Sequence, residues 1–557
     1  MELTRFITAR QREIYASFLR THSMSDTARE LRISQIRVRE ALVQVQRNLI
    51  RGAGDHPPTL KAMQRGDVTT RFDVSRDLRN GRPAKHQPVV AGKVANRTVG
   101  PHPRRIEVIS TVGPRRIVVT GIDGADAPHP GFLDNLQAYA AHLGAELRLY
   151  IVGNQPPRSR IPQYLRGLVK HEAVTIGDRV DIRPDVGLPR FSRFPLEGLQ
   201  RVSPGRSAVI IHATPQLESL PRISAHPPRI QITTGLASPS GRIIGHRVTE
   251  QLEQLGAVVV ELGKEGDVHT RRITAMPDHN GDFSDLDARV SRGKVETGCR
   301  VEAIVFGDIH HPLTDPDVVA ATWGPEGLVD RLRPRHQVLH DLADFHARNN
   351  YDARDHHARF RKFTAGRDDV RAELASVSAF AASTRRPGCT THVIASNHDH
   401  ALARWLRDSD HKADPQNAEF YLECERIAYA NLRDGRTVDL MPEVLRAFAH
   451  DKLDGVEFVS DGQSLMLAGV EHAVHGDRGP DGRRGSIAQF ESMGVDMTIG
   501  HFHSPAIRGG VYVAGLCSNA IGYERGPTSR AVAHVITHSD GSRQHVFWEV
   551  GRYFPHF

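Results

Sequence analysis

Cysteine is scarce in this chain. It has four in 557 residues (Cys299, Cys389, Cys424, Cys517), spread far apart with no C-x-x-C pair. That argues against a disulfide scaffold or a zinc finger and for a reducing compartment. Long apolar runs are missing too: nothing approaches the ~18 residues of a membrane span. The opening residues MELTRFITARQREIY lack the apolar centre of a secretory leader, so the expected location is cytoplasmic. What is present is ordinary globular composition, 39% hydrophobic and 25% charged, on a length that suits several domains. The formal charge of +8 and a pI near 9.4 favour a polyanionic partner. Histidine is the outlier. Of 32 in the chain, sixteen fall between His310 and His503, so chemistry that uses imidazole is expected there.

The chain divides into four segments. Residues 1–51 read as helical, with apolar positions at helical spacing: Ile14 and Phe18, Ala28 and Leu31, then Val38, Leu42, Val45 and Leu49. The pattern helix, turn, "SDTARELRI", then "SQIRVREALVQVQRNL" resembles the helix-turn-helix of sigma factors and response regulators. Ser34 to Arg39 would open the recognition helix, and Gln35, Arg37 and Arg39 would meet base edges or phosphates. A three-helix protein-interaction module is the alternative. Residues 52–104 scatter Gly, Pro, Asp, Asn and Arg without a sustained period and read as a basic linker.

Residues 105–295 alternate strand and helix signals: "RRIVVTGI" (115–122), a helical face over 131–144, "AELRLYIV" (145–152), "SAVIIHA" (207–213), "RIQITTG" (229–235), a helix over 242–255, and "AVVVEL" (257–262). The expectation is a mostly parallel sheet with helices on both faces. Asp123, Asp126 and His129 offer a second candidate site, although no phosphate-loop or dinucleotide fingerprint accompanies them. A structural or nucleic-acid-contacting role is the better reading of this domain.

Residues 296–557 carry the candidate chemistry. Four apolar runs each stop at residues able to bind metal. "VEAIVFGDIHHP" ends in Asp308 and His310, whose spacing of two places both on one side of a strand. "THVIASNHDH" ends in Asn397, His398 and Asp399; "LMLAGVEHAVHGD" in His475; "VDMTIGHFHSP" in His501 and His503. Between the first two lies "QVLHDLADFHARNN", with Asp341 and Asp344.

That order, D-x-H, D, N-H-D, H, G-H-x-H, resembles the calcineurin-like metallophosphoesterase superfamily over Asp308 to about Ser518. The resemblance implies an α/β sandwich and two divalent metal ions. Asp308, His310 and His503 would hold one, Asn397, His475 and His501 the other, and Asp341 would bridge them. It makes His398 the imidazole that protonates the leaving oxygen or steadies the phosphate, with Asp399 orienting it. Mixed carboxylate, amide and imidazole ligands suit Mn²⁺, Fe or Zn²⁺ better than a purely oxygen-liganded Mg²⁺ site; Mn²⁺ is the expected ion, with Fe, Zn²⁺ or Mg²⁺ as alternatives.

Three departures from the family pattern stand out. His340 replaces the usual glycine before the bridging aspartate, Ser396 replaces the glycine before Asn-His-Asp, and Phe345 stands where phosphoprotein phosphatases carry arginine. The last favours a diesterase. A charged insertion with Arg354, His356, His357, Arg359, Arg361 and Lys362 is open to two readings, a nucleic-acid channel or a solvated helix face.

The motif order is also similar to double-strand-break-repair nucleases and, in overall organisation, to phage DNA-degradation proteins. The expectation is therefore an α/β multidomain DNA nuclease, with an N-terminal helix-turn-helix, a central α/β domain and a C-terminal metallophosphoesterase domain. Two alternatives remain: a phosphatase or small-molecule diesterase with a protein-binding N-terminus, and a DNA-binding regulator with an inactive metal domain.

Overall fold

The computed structural model describes residues 13–18, 24–33, 38, 41, 106–109, 115–124, 127–152, 163–189, 192–223, 228–238, 254–275, 280–349, 352, 355–436, 439–449, 453–518, 521 and 526–555. The chain forms two units, Met1–Asn96 and Arg97–Phe557.

In the first unit, residues 13–18 and Met24–Glu30 are helical. Ile14, Ala28 and Val38 are buried together against Tyr15, Phe18, Leu31, Ile33 and Ala41, the apolar spacing expected of packed helices. Arg32, at φ 49°, turns the chain after the second helix, and Ile33 N–H donates back to the Ala28 carbonyl at 3.0 Å. Gln35, Arg37 and Arg39 lie outside the described residues, as does the whole of the 52–104 segment.

The second unit is built on three sheets of eleven, eight and six strands among the described residues. In the eight-stranded sheet, Arg115–Asp123 and Glu146–Val152 pair in parallel through helix Pro130–Leu143. This helix starts on Pro130, capped by His129 Nδ1 accepting from Phe132 N–H at 3.1 Å, and stops at left-handed Gly144. A capping role thus accounts for His129; Asp126 lies outside the described residues.

Val169–Lys170 continues the parallel pairing beyond Glu146–Val152, but the other side of this sheet departs from the expected pattern. Leu255–Leu262 runs antiparallel to Arg115–Asp123 and forms a hairpin with Val268–Ala275, followed by a meander of three short strands. The connection Gly263–Asp267 is far too short for a crossover helix, so antiparallel pairing is forced. Leu255, expected to end a helix, opens this strand, and 242–253 fall outside the described residues. Nor, among the described residues, does helix cover both faces. Phe132, Leu133, Leu136 and Tyr139 pack on one face, whereas Val119, Val258 and Val260 on the other enter a core shared with strands of the other two sheets.

The eleven-stranded sheet joins the two expected domains. Gln216–Leu220 pairs antiparallel with Ala506–Arg508, bringing Leu217 opposite Ile507. Strands from both sides of residue 295 therefore share one sheet. A second link is polar: Gln544 of strand Arg543–Phe547 donates to Asp285 at 2.8 Å, the carboxylate that also pairs with buried Arg271 at 2.7 Å.

The six-stranded sheet positions the candidate site. Ala303–Val305, His336–Leu339, Thr390–Ile394 and Val456–Val459 run parallel, and Ala533–Thr537 and Arg543–Phe547 complete it antiparallel. Helices cover one face, where Phe306, Leu339 and Val393 bury against Trp323, Val377, Leu402, Trp405 and Val444. Val305, Val338 and Ile394 face the inter-sheet core. Among the described residues, no helix is long and apolar enough to cross a membrane.

Candidate metal centre

Three neighbouring parallel strands deliver Asp308, Asp341 and Asn397 at their carboxyl ends, where open α/β sheets place ligands because every loop there faces one crevice. The remaining histidines come from the eleven-stranded sheet. Met497–Ile499 leads into His501 and His503, and the hairpin of Met466–Leu467 with Val470–Glu471 leads into His475. The run expected as a single strand before His475 is therefore two short strands and a loop.

Strand alternation is not what aligns Asp308 with His310. The strand ends at Val305, and His310 sits at φ 50°. Asp341, His501 and His503 are also left-handed, at φ 44°, 71° and 57°. Non-glycine residues reach this region only at a cost of about 1–3 kcal/mol each, and such strain gathers at functional sites. Two glycines admit the close packing. A Cβ on Gly307 would lie 2.5 Å from Leu516 backbone, and one on Gly500 2.4 Å from Asp308 Oδ1.

The side chains converge as two groups that share the Asp341 carboxylate, next to a third made of His310, Asp344 and His398. Asp308, His310, Asp341 and His503 can hold a metal ion, and so can Asp341, His475 and His501. His310 and His503 bring their Nε2 atoms to 3.1 Å; His503 Nε2 is 3.2 Å from Asp308 Oδ2 and His310 Nε2 3.5 Å from Asp341 Oδ2. His310 Nδ1–H donates to Asp344 at 3.2 Å, which leaves its Nε2 lone pair aimed into the cluster. On the other side His475 Nε2 stands 3.3 Å from Asp341 Oδ2 and 3.0 Å from Asn397 Oδ1.

The residues fit a cation. Asp308 Oδ1 and Asp341 Oδ1 are buried with no hydrogen-bond partner among the described residues, the signature of oxygens reserved for an ion. Burial alone would raise the Asp341 carboxyl, yet His475, His398 and His310 hold it well below the usual range. Asp308 is likewise lowered despite burial, first through His503. In return, His475 is pushed up to about 9 by Asp341 and Asp308, which outweigh its burial. Buried carboxylates set among imidazoles are what a bound cation would neutralise.

His398 sits beside the cluster, its ring edge-on to His310 at 4.7 Å between centroids. Its Nδ1–H donates to the Asp344 backbone carbonyl at 2.9 Å, with the Asp344 carboxylate at 3.7 Å. Burial pulls this imidazole down, but Asp341 and Asp344 raise it above its ordinary value. The hydrogen bonds of Asp399 run to Ser396. Asp399 Oδ2 accepts from Ser396 N–H at 3.0 Å and Ser396 Oγ at 3.3 Å, closing the Asn-His-Asp turn; burial and the Asp341 charge push it up to about 7. Asp344 is the residue that holds His398, and the D-x-x-D spacing of Asp341 and Asp344 was its sequence signal.

The two unusual neighbours both serve packing. His340 is fully buried with Nδ1 3.4 Å from His475 Nδ1, and burial lowers it to about 4. The buried Ser396 makes the turn bond just described. In the insertion, Lys362 is committed: it is buried, donates to the His346 carbonyl at 2.5 Å and pairs with Asp352 at 2.9 Å. His356, His357, Arg359 and Arg361 are exposed, and Arg354 lies outside the described residues.

Fold and site together define a mixed α/β protein with a buried histidine–aspartate cluster able to bind metal. No family model matches the chain, and no solved structure matches it. It is 30% identical over 464 residues to Protein A1 of Escherichia phage T5, covering 79% of this chain and 83% of that protein. The chain belongs to the family of that phage protein.

Proposed function

We propose that this chain is a metal-dependent DNA nuclease that hydrolyses phosphodiester bonds at the histidine–aspartate cluster. The observation that carries this reading is the pair of metal-competent groups meeting at one buried carboxylate, Asp341. Asp308, His310 and His503 would hold one ion, Asn397, His475 and His501 the other, with Asp341 between. Two divalent ions there, Mn²⁺ before Fe, Zn²⁺ or Mg²⁺, supply Lewis acidity and neutralise phosphate charge.

The protein's own part is positioning and proton transfer. Asp344 fixes His398 through Nδ1, which leaves Nε2 to carry the proton for the leaving oxygen. The net charge of +8 and the basic helical N-terminus support DNA as the polyanion. Kinship with a phage protein fits a phage-encoded enzyme working in the host cytoplasm.

The test is incubation of the purified protein with supercoiled, linear and single-stranded DNA in Mn²⁺, Mg²⁺ or chelator. Metal-dependent cleavage is expected. Hydrolysis of a nitrophenyl phosphodiester without cleavage of any DNA would replace the nuclease by a small-molecule diesterase. Hydrolysis of neither, with two metals bound, would leave the DNA-binding regulator.

A further inference from the structure

Helix His356–Thr364 presents its aromatic side chains to solvent. Asp355 caps it, its Oδ1 accepting from His357 and Ala358 N–H at 2.9 and 3.0 Å. Ala358 and Lys362, four apart, face the protein. Phe360 and Phe363, with His356, fall at i, i+4 and i+7 on the opposite stripe, 65% and 62% exposed for the two phenylalanines. Among the described residues no other phenylalanine is among the exposed large hydrophobics. Leaving two such rings in water forfeits the burial that normally places phenylalanine inside.

The stripe is flanked by cations. Arg359 lies on one side, Arg361 and His357 on the other, and Arg367 follows the helix end; all are exposed. The helix is also moored beside the metal centre. Lys362 holds the His346 carbonyl, His346 Nδ1 is 3.7 Å from Asp344 Oδ2, and Asp344 bonds His310.

We propose that this helix is a stacking platform for a single-stranded stretch of DNA next to the scissile bond, with bases on Phe360 and Phe363 and phosphates on Arg359 and Arg361. The proposal rests on the phosphodiesterase reading of the metal centre and adds the strand form of the substrate. Aromatic faces interleaved with guanidinium groups suit unstacked bases on a phosphate chain. A duplex hides its base faces and offers phosphates alone. A second copy of this chain fits poorly, because face-to-face contact would bring the arginines together.

The experiment uses the full-length protein and a fluorescent oligothymidylate about twenty nucleotides long, with chelator present so that nothing is cut. Phe360→Ala/Phe363→Ala should bind it about 30-fold or more weakly, whereas Phe360→Trp/Phe363→Trp should keep the affinity. Arg359→Ala/Arg361→Ala should lower the slope of log K against log salt by about 1.4. Nitrophenyl phosphodiester hydrolysis in Mn²⁺ should match wild type in all three variants.

An unchanged single-strand affinity in the double alanine variant would overturn the platform. So would light scattering that shows this variant dissolving an oligomer, since the face would then belong to a second copy. If wild type fails to hydrolyse the small diester, the metal-centre reading falls by itself, because strand binding is measured without turnover.

Discussion

Asp341 is the residue on which both candidate ion sites depend. Asp341→Asn keeps the shape but loses the charge that faces His310 and His475, so both ions should be lost together. Turnover should fall by more than the roughly 10–100-fold typical of an outer-shell change. Elemental analysis, activity and circular dichroism decide it; wild-type turnover with two metals retained would refute the bridge. His398 makes the opposite case. It lies outside the two groups that share Asp341, in a third with His310 and Asp344; if it acts as the general acid and not as a ligand, His398→Ala should keep two metals while the rate drops about 10²–10⁴-fold. Loss of one metal in that variant would make His398 a ligand. Four residues of the cluster, Asp308, Asp341, Asn397 and His501, were legible as candidates because each closely follows an apolar strand. The partner of His398 was legible only as the D-x-x-D spacing of Asp341 and Asp344, since its bond runs to the Asp344 backbone carbonyl, 54 positions earlier.

At the scale of elements, the turn that follows Asp344 hangs on one buried carboxylate. Glu373, on helix Val370–Thr384, accepts from His346 N–H at 2.6 Å and Ala347 N–H at 2.7 Å. Burial, reinforced by Asp344, pushes it from 4.5 up to about 7 despite those bonds. A folded-state value above the unfolded one means that its stabilisation is complete below about pH 4.5 and lost as pH rises through about 7. The swing is on the order of 3 kcal/mol. Glu373→Gln removes the titration, so its stability deficit against wild type should narrow between pH 5 and pH 8 in urea melts. A constant deficit across that window would show that Glu373 does not titrate there. Sequence periodicity found five of the fourteen described strands of the central segment, each to within a few residues. It could not tell a parallel crossover from a hairpin there, because the returning strand Val268–Ala275, VHTRRITA, carries few apolar residues to mark it.

At the scale of the whole chain, the division at residue 295 follows the sequence motifs and not the sheet, because Gln216–Leu220 and Ala506–Arg508 pair across nearly 300 positions. No local pattern encodes such a pairing. The division between the N-terminal unit and the rest is of another kind: each unit has its own core, so the two can be tested by separate readouts. If residues 1–51 dock on DNA, Arg37 and Arg39 at the start of the expected recognition helix contact phosphates or bases. Replacing both with alanine should leave nitrophenyl phosphodiester hydrolysis unchanged, since the histidine–aspartate cluster belongs to the other unit. DNA cleavage at sub-saturating DNA should fall, and the loss should shrink at low salt, where the remaining cations bind more tightly. Measuring both activities at two ionic strengths separates the outcomes. Equal loss of both would mean that the N-terminal helices support the enzyme's fold. No loss of either would mean that the module serves a partner other than DNA, and the protein-binding alternative would take its place.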